Sequence, residues 1–257
     1  MISLEEIEKY YTENLKPFKR SILREYLQYK ILEIIFDSEY ASKLSFLGGT
    51  ALRIVHDNTR FSEDIDLDNF GLTEMEFDNL ASIIKKGLQF EGYGVEIRNV
   101  YKRAFRCYIK IPDLLFDSGL TGHKEEKILV QLDSAHNDFV YTQEKYLLNK
   151  FDVLTEINIT PMDIILSQKI LALFGRKRAK GRDFYDIVFL LGKTKPNYQY
   201  LDKKTGIRTE KELKKKLLEK ANQTDLNAMA KDVEKFLFNP KDSKKIVLFK
   251  QFIKQVL

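Results

Sequence analysis

The chain has 257 residues, 44% of them hydrophobic, and a formal net charge of +5, so it is long enough to bury one large core or two modest ones. It contains no run of eighteen apolar residues and no N-terminal basic and apolar segments of the secretion-signal type, so we expect a cytoplasmic protein with no membrane partner. Cys107 is the only cysteine, which excludes an internal disulfide and a multi-thiolate zinc site, and the three histidines share no metal-ligand spacing, so any metal must be bound by oxygen.

The first forty residues have the apolar periodicity of helices. Leu4, Ile7 and Tyr11 fall on one face of a helix, and a second apolar series at spacings of three and four residues runs from Ile22 to Phe36. These residues predict a helical segment that leads into the rest of the chain.

Short extended and helical segments follow. The apolar segment Leu44-Ser45-Phe46-Leu47 stops at Gly48-Gly49, which is typical of a strand that runs into a backbone turn, and residues 51–56 then predict a short helix. Residues 65–68 alternate apolar and acidic side chains, the pattern of a strand with one dry and one solvated face. The remaining predicted elements are a helix at residues 74–90, strands at residues 95–100 and 104–111 joined at Tyr101-Lys102-Arg103, and a strand at residues 127–133.

A helical pattern begins after Thr160. Thr160 offers a capping hydroxyl, Pro161 suits the first helical position, and Asp163 places an acid in the first turn. We therefore expect a helix that begins with these residues and ends near Phe174.

The C-terminal third is strongly basic. After a predicted loop at residues 175–182, a second helix is expected from Asp183 to near Gly192, followed by amphipathic helices rich in lysine. Residues 175–257 carry 22 Lys and Arg against 10 Asp and Glu, a net charge of +12, which leaves −7 for the remainder. Such a charge attracts polyanions through counterion release, but it could equally serve solubility alone.

Together these elements predict an α+β fold, with a small mixed β-sheet core, flanking helices and a C-terminal helical domain. We divide the chain into the helical segment at residues 1–40, the core at residues 41–155 and the basic helical domain at residues 156–257.

Asp64 and Asp66 form the first candidate site. Two carboxylates at positions i and i+2 of a strand point to the same face, with Cα atoms roughly 6.5 to 7 Å apart, so both can reach one cation or a closely spaced pair. Mg²⁺ or Mn²⁺ prefers such oxygen ligands and completes its coordination with water and substrate phosphates.

A phosphate site is predicted beside this acid pair. Gly48 and Gly49 let the backbone approach a nucleoside triphosphate, and their N–H groups, with the Thr50 hydroxyl and the start of a helix, can donate to phosphate oxygens. Arg60 and Ser62 precede the carboxylates and could orient them or contact a phosphate.

A third carboxylate would serve the attacking hydroxyl. Asp133, at the end of a predicted strand, is the preferred candidate for a second metal ligand and for the general base that accepts the hydroxyl proton. Asp68 continues the alternation of Asp64 and Asp66 and is a weaker candidate.

At this point the sequence resembles a known family, the AbiEii/AbiGii-type toxin nucleotidyltransferases of the DNA polymerase β-like superfamily. The resemblance covers roughly residues 20–195, and the residues after about 195 contain no motif of this family that we recognise. A lone Asp-x-Asp is weak evidence, whereas the whole series in this order is strong. The matching segments are Gly48-Gly49-Thr50-Ala51-Leu52, Arg60-x-Ser62-x-Asp64-Ile65-Asp66-Leu67, Gln168-Lys169-Ile170-Leu171-Ala172-Leu173 and Arg182-Asp183-x-x-Asp186.

The resemblance implies a bacterial toxin of a toxin–antitoxin or phage-defence system, encoded with a separate antitoxin. It implies transfer of a nucleoside monophosphate from a nucleoside triphosphate, with the 3′ end of tRNA as the favoured acceptor. Carried over by motif, Lys169 contacts the triphosphate, and Asp183 or Asp186 supports Lys169 or the nucleotide. The family signal around Asp133 is weak.

Each of these residues also fits an ordinary structural role. Gly48-Gly49 alone fits a simple turn, Asp183 fits a helix cap, Asp186 fits an ion-pair partner, and Lys169 could extend to solvent from an apolar helix. For the whole protein, the alternatives are a nucleotide-binding or antitoxin-binding module without turnover, and transfer to a hydroxyl of a protein or small molecule.

Overall fold

The chain forms two compact units. The computed structural model describes residues 2–102 and 104–257, so Arg103 of the predicted turn lies outside the described residues. The first unit comprises Met1–Asp57 and Phe61–Thr160, and the second comprises Asn58–Arg60 and Pro161–Leu257. No helix in the described part of the chain is both long and apolar enough to cross a membrane.

The first unit contains a β-sheet and its flanking helices, which confirms the predicted fold class. The expected strands and the helix at residues 74–90 are present, but two further strands, Glu144–Lys150 and Val153–Ile159, were not predicted. The helices are α1 (Leu4–Glu8), α2 (Lys19–Phe36), α3 (Gly48–Ile54), α4 (Glu74–Phe90) and α5 (Leu114–Asp117). The strands are β1 (Leu44–Leu47), β2 (Ile65–Asn69), β3 (Glu96–Tyr101), β4 (Phe105–Ile111), β5 (Ile128–His136), β6 (Glu144–Lys150) and β7 (Val153–Ile159).

Within the described residues, seven strands form one mixed sheet in the order β3-β4-β5-β2-β1-β7-β6. β2 pairs antiparallel with β1 and parallel with β5, while β1 also pairs parallel with β7. The register joins Leu47 to Asp66, Asp66 to Asp133, and Asp133 to Arg106. These four residues therefore lie in one row across the adjacent strands β1, β2, β5 and β4.

One face of the sheet is the core of the first unit. α2 packs on β5 and β7, and α4 packs on β3 and β4. The residues that face these helices from the central strands are buried apolar side chains, including Ile65, Cys107 and Leu132. Because side chains alternate along a strand, Asp66, Arg106 and Asp133 lie on the opposite face of the sheet.

The second unit is helical, as predicted for the C-terminal part of the chain. The segment Asn58–Arg60 joins this unit by pairing with its irregular part: Arg60 forms an antiparallel bridge with Leu237, and the Phe238 N–H donates to the Thr59 carbonyl at 3.1 Å. The helices are α6 (Met162–Gly175), α7 (Gly181–Leu191), α8 (Tyr198–Thr205), α9 (Glu210–Asn222), α10 (Leu226–Glu234), α11 (Lys244–Val247) and α12 (Phe249–Val256).

The predicted cap of α6 is wrong. Pro161 occupies the N-cap position, and its side chain makes no capping hydrogen bond. Asp163 lies in the first turn as expected. The Thr160 hydroxyl instead lies 3.0 Å from the Ser45 hydroxyl and 2.8 Å from the Tyr141 hydroxyl. Thr160 is fully buried beside the sheet, so its hydroxyl is taken up by partners that are distant in sequence.

Candidate active site

The structure brings Gly48 and Asp66 into direct contact. Gly48 follows Leu47, the register partner of Asp66, and has φ +82°. A Cβ atom placed on Gly48 would lie 2.0 Å from Asp66 Oδ2 and 2.8 Å from Asp66 Cγ. The Asp66 carboxylate therefore rests against main chain where any other residue would collide with it, and glycine is required both for the contact and for the left-handed backbone.

Thr50 connects the glycine turn to Asp64. The Thr50 hydroxyl donates a hydrogen bond to the Asp64 carbonyl, and Thr50 is fully buried. Its hydroxyl is thus used to fix the backbone of the acidic segment, and the predicted donation to a phosphate stays a prediction. Asp64 lies one residue before β2, and Ile65, between the two acids, is buried in the core.

Helix α2 holds the residues that lead to Asp64. The Gln28 amide donates to the Ser62 carbonyl at 3.1 Å, and the Arg24 guanidinium lies 2.9 Å from the Glu63 carboxylate. Gln28 is buried, so its amide is a fixed donor. The approach to the acid pair is therefore anchored at successive residues, and Gln28 is a contributor that the sequence motifs did not reveal.

Asp133 lies beside Asp66 but is bound by an arginine. Arg106 donates to Asp133 Oδ1 at 2.6 Å and to Oδ2 at 3.0 Å, and the Gln131 amide donates to Oδ2 at 3.0 Å. The Asp133 carboxylate raises the pKa of Arg106 through these hydrogen bonds. Sequence reasoning missed Arg106, although the alternation of buried Cys107 with its neighbours indicates that Arg106 faces away from the core.

Asp68, the weaker candidate for the third carboxylate, is committed to a different network. Its carboxylate is buried and accepts hydrogen bonds from the Asn137 amide at 2.7 Å and the Tyr141 hydroxyl at 2.6 Å. Burial and the nearby Asp68 charge raise the pKa of Tyr141, so the phenol stays protonated and donates. Asp68 therefore joins β2 to the segment after β5.

The acid pair fits a hard cation better than a closed all-protein metal site. In the described part of the chain, no three His, Cys, Asp or Glu side chains are grouped so that they could hold a metal ion. Mg²⁺ typically binds through one or two carboxylates and keeps waters or phosphates as its other ligands. Asp64 and Asp66 stay the predicted carboxylate ligands of such an ion, while Asp133 is held by Arg106.

A buried ion-pair network in the second unit contains three of the predicted residues. Arg60 donates to Asp186 Oδ1 and Oδ2, both at 2.7 Å, and Lys169 Nζ lies 2.9 Å from Oδ2. Asn58 donates to Oδ1 at 3.1 Å. Burial alone would raise the pKa of Asp186, but the charges of Arg60 and Lys169 outweigh it and lower the pKa to about 2.

This network pairs Lys169 with Asp186, and the predicted contact of Lys169 with the triphosphate stays a prediction. Lys169 neither extends freely to solvent nor lacks a partner, because Asp186 binds its ammonium group. The Arg60 guanidinium also donates to both Asp186 carboxylate oxygens, and its predicted phosphate contact stays a prediction. Asp183 lies in the first turn of α7, where Lys180 is the N-cap, and its carboxylate accepts from Arg176 at 2.7 Å.

Known proteins resemble this chain in sequence and in fold. The family model described as "Nucleotidyl transferase AbiEii toxin, Type IV TA system" matches residues 30–255. The crystal structure of JHP933 from Helicobacter pylori is 17% identical, with a TM-score of 0.57 over 92% of this chain and 91% of that one. Another Helicobacter pylori structure, provisionally assigned as a nucleotidyltransferase, is 18% identical, with a TM-score of 0.56 over 91% of this chain and 94% of that one.

The curated proteins contain no match to the chain. At their low identities the two Helicobacter pylori structures support the fold alone, whereas the family match extends over most of the sequence. The chain belongs to the AbiEii family of toxin nucleotidyltransferases of type IV toxin–antitoxin systems.

Proposed function

We propose that this nucleotidyltransferase transfers a nucleoside monophosphate from a nucleoside triphosphate to an acceptor hydroxyl, with the 3′ end of tRNA as the favoured acceptor. The observation that carries the proposal is the packing of the Asp66 carboxylate against the Gly48 main chain. This contact puts a carboxylate, the kind of ligand that Mg²⁺ prefers, beside the glycine turn, which supports binding of a metal-bound triphosphate there.

The phosphate-binding part of the proposal rests on the backbone at Gly48 and Gly49. The first N–H groups of a helix have no acceptor within that helix, and α3 begins at Gly48. Gly48 and Gly49 are buried, and their lack of a side chain removes one obstacle to an anion that approaches these groups. Thr50 supports the site by fixing the Asp64 backbone.

Asp64 and Asp66 would hold Mg²⁺ or Mn²⁺. When bound, the cation neutralises the negative charge that develops on the phosphates. The chain's own groups then position the reactants: the glycine turn orients the triphosphate, and the acceptor oxygen attacks in line. The bond from the acceptor oxygen to the α-phosphorus forms as the bond to pyrophosphate breaks, and the Asp133 carboxylate accepts the hydroxyl proton.

The basic second unit supports a nucleic-acid acceptor. Residues 175–257 carry a net charge of +12, and the loop before α7, residues 176–180, has four basic residues and no acidic one. Binding that depends on this charge releases counterions, so the affinity for tRNA should fall steeply with rising salt. Affinity that stays constant when the salt concentration is raised several-fold would contradict this part of the proposal.

The decisive test is a transfer assay with labelled triphosphates. The wild-type protein is incubated with each α-labelled nucleoside triphosphate, Mg²⁺, total cellular RNA and total cellular protein. Label that appears in RNA, and is lost when a chelator is added, supports the proposal. Label in protein or in small molecules supports the other acceptors, and nucleotide that is bound without being consumed supports a binding module.

A separate antitoxin is a partner implied by membership of a type IV toxin–antitoxin family. Co-expression with the neighbouring gene, followed by the same transfer assay, shows whether that partner changes the rate of nucleotide transfer.

A further inference from the structure

Arg106 and Asp133 form an ion pair within the proposed active site. The two residues are register partners on β4 and β5, and the guanidinium uses two nitrogens to bind both carboxylate oxygens. In this state Asp133 offers fewer lone pairs to a metal or to a hydroxyl proton. The group that the reaction needs as a base is therefore occupied by the chain's own arginine.

This ion pair is accessible, which distinguishes it from the other arginine–aspartate pair near the predicted motifs. The side chains of Arg106 and Asp133 are 40% and 22% exposed, whereas those of Arg60 and Asp186 are 1% and 0% exposed. Solvent-exposed ion pairs contribute little to stability, and they exchange partners easily. A buried pair cannot separate without leaving uncompensated charge. The Arg106–Asp133 pair is thus the one that an incoming anion can open.

The neighbouring side chains favour a strand of nucleic acid as that anion. Arg98 and Tyr108 are register partners on β3 and β4 and share the face of Arg106, as does Lys110. Arg98 and Lys110 are exposed. Glu96 shares this face too, and its carboxylate is paired with Lys127 at 2.6 Å. Cations beside an aromatic ring suit a phosphate backbone with a stacked base.

The geometry also fixes the order in which groups meet. Arg106, Asp133 and Asp66 lie in one row on three adjacent strands, which are about 4.8 Å apart in a sheet. A phosphate bound by Arg106 therefore lies one strand from Asp133 and two from Asp66. That spacing leaves room for the end of an acceptor strand on Arg106 while the triphosphate occupies the glycine turn.

We propose that Arg106 is a positioning residue that couples acceptor binding to the release of Asp133. In the free protein Arg106 holds the Asp133 carboxylate. A phosphate of the RNA acceptor takes the guanidinium, since phosphate accepts the same two-pronged contact, and Asp133 becomes available to the cation and to the attacking hydroxyl. The inference rests on the proposed function, because it assigns Asp133 its role there.

The coupling predicts opposite effects on two ligands when Arg106 is replaced. In Arg106→Ala, Asp133 is released permanently, so the protein should bind Mn²⁺ more tightly. We expect a gain of at least about five-fold, the lower end of ordinary coupling between sites. The same variant should bind RNA more weakly, because it lacks the phosphate contact. A purely structural role for Arg106 predicts no gain in Mn²⁺ affinity.

The experiment measures each ligand alone, so that neither arm needs turnover. Mn²⁺ affinity is read from the electron paramagnetic resonance signal of free Mn²⁺ without RNA, and affinity for total tRNA is measured in a chelating buffer. Arg98→Ala is the matched control: it removes the same charge from the same face, but Arg98 has no register contact with Asp133. It should weaken tRNA binding and leave Mn²⁺ affinity unchanged.

The double variant Arg106→Ala, Asp133→Asn assigns the gain to its cause. Mn²⁺ affinity should return to the wild-type value or below it, because the released carboxylate is absent. The inference is overturned if Arg106→Ala, with an unchanged melting temperature, binds Mn²⁺ no more tightly than wild type, or if it binds tRNA as well as wild type. The Mn²⁺ and tRNA affinities are measured without nucleotide transfer, so they test the role of Arg106 even if the protein transfers no nucleotide. Failure of the proposed function is seen in the transfer assay instead.

Discussion

Replacing Gly48 by alanine tests the contact on which the proposed site depends. The added Cβ would lie 2.0 Å from Asp66 Oδ2 and 2.8 Å from Asp66 Cβ, at a backbone position with φ +82°. The left-handed backbone alone costs an alanine about 1 to 2 kcal/mol. The collision adds to this cost, because the carboxylate must move by about 1.5 Å to restore an ordinary contact.

A shift of about 1 Å in a catalytic group can lower a rate by about 100-fold. We therefore expect Gly48→Ala to unfold at lower urea concentration and to transfer nucleotide about 100-fold more slowly than wild type. Urea denaturation gives the free energy of unfolding, and the labelled-nucleotide assay gives the rate.

Gly71→Ala separates the two effects. Gly71 also has a positive φ, +96°, but a Cβ there would meet no atom within 4 Å. This variant should lose about 1 to 2 kcal/mol of unfolding free energy and keep the wild-type transfer rate. If Gly48→Ala and Gly71→Ala transfer nucleotide at the same rate, the Gly48–Asp66 contact does not position the Asp66 carboxylate for transfer.

The remaining predictions concern stability. Asp186→Asn should lose about 3 to 5 kcal/mol of unfolding free energy in urea, because it leaves Arg60 and Lys169 without their buried counter-charge. Since the pKa of Asp186 falls from its ordinary 3.8 to about 2 in the folded protein, its contribution is present at neutral pH and is lost as the pH falls from about 4 through about 2; a wild-type stability curve as flat there as that of Asp186→Asn would contradict this. Gly181→Ala should lose about 1 to 3 kcal/mol, because its Cβ would lie 2.1 Å from the Met229 carbonyl oxygen, and unchanged thermal melting would count against that packing.

Local patterns predicted most of the elements. The helix at residues 74–90 was expected at its observed bounds because its apolar spacing is regular, and the structure adds a capping box formed by Thr73 and Glu76. β7 was overlooked although Val153, Thr155 and Ile157 are buried and alternate with exposed residues, the period of a strand. That segment therefore carries a local strand signal of the same kind as the other strands.

Long-range pairing was not accessible from the sequence. Arg106 binds the Asp133 carboxylate because β4 pairs with β5 in one particular register, which no local pattern specifies. Asp186 on α7 meets Arg60, 126 residues earlier, through tertiary packing that no local pattern specifies. The motif order indicated that these acids matter, but it did not indicate which cation each one binds.

Thr160 illustrates how tertiary contacts override a local preference. A threonine before Pro161 is a reasonable helix cap from sequence alone, yet its hydroxyl hydrogen-bonds with Ser45 and Tyr141. Residues 58–60 are a second example, because they interrupt the first unit and belong to the second. Composition and periodicity predict neither the hydrogen bonds of Thr160 nor the assignment of residues 58–60 to the second unit.

The acid pair itself is the central claim, and isosteric variants test it most directly. Asp64→Asn and Asp66→Asn keep the size of each side chain and remove the charge that would hold the cation, while Asp117→Asn makes the same change at an exposed surface position. In the labelled-nucleotide assay with Mg²⁺, wild type and Asp117→Asn should transfer nucleotide to RNA, and the other two variants should show no transfer while melting as wild type does. Wild-type transfer rates for either Asp64→Asn or Asp66→Asn would contradict the claim.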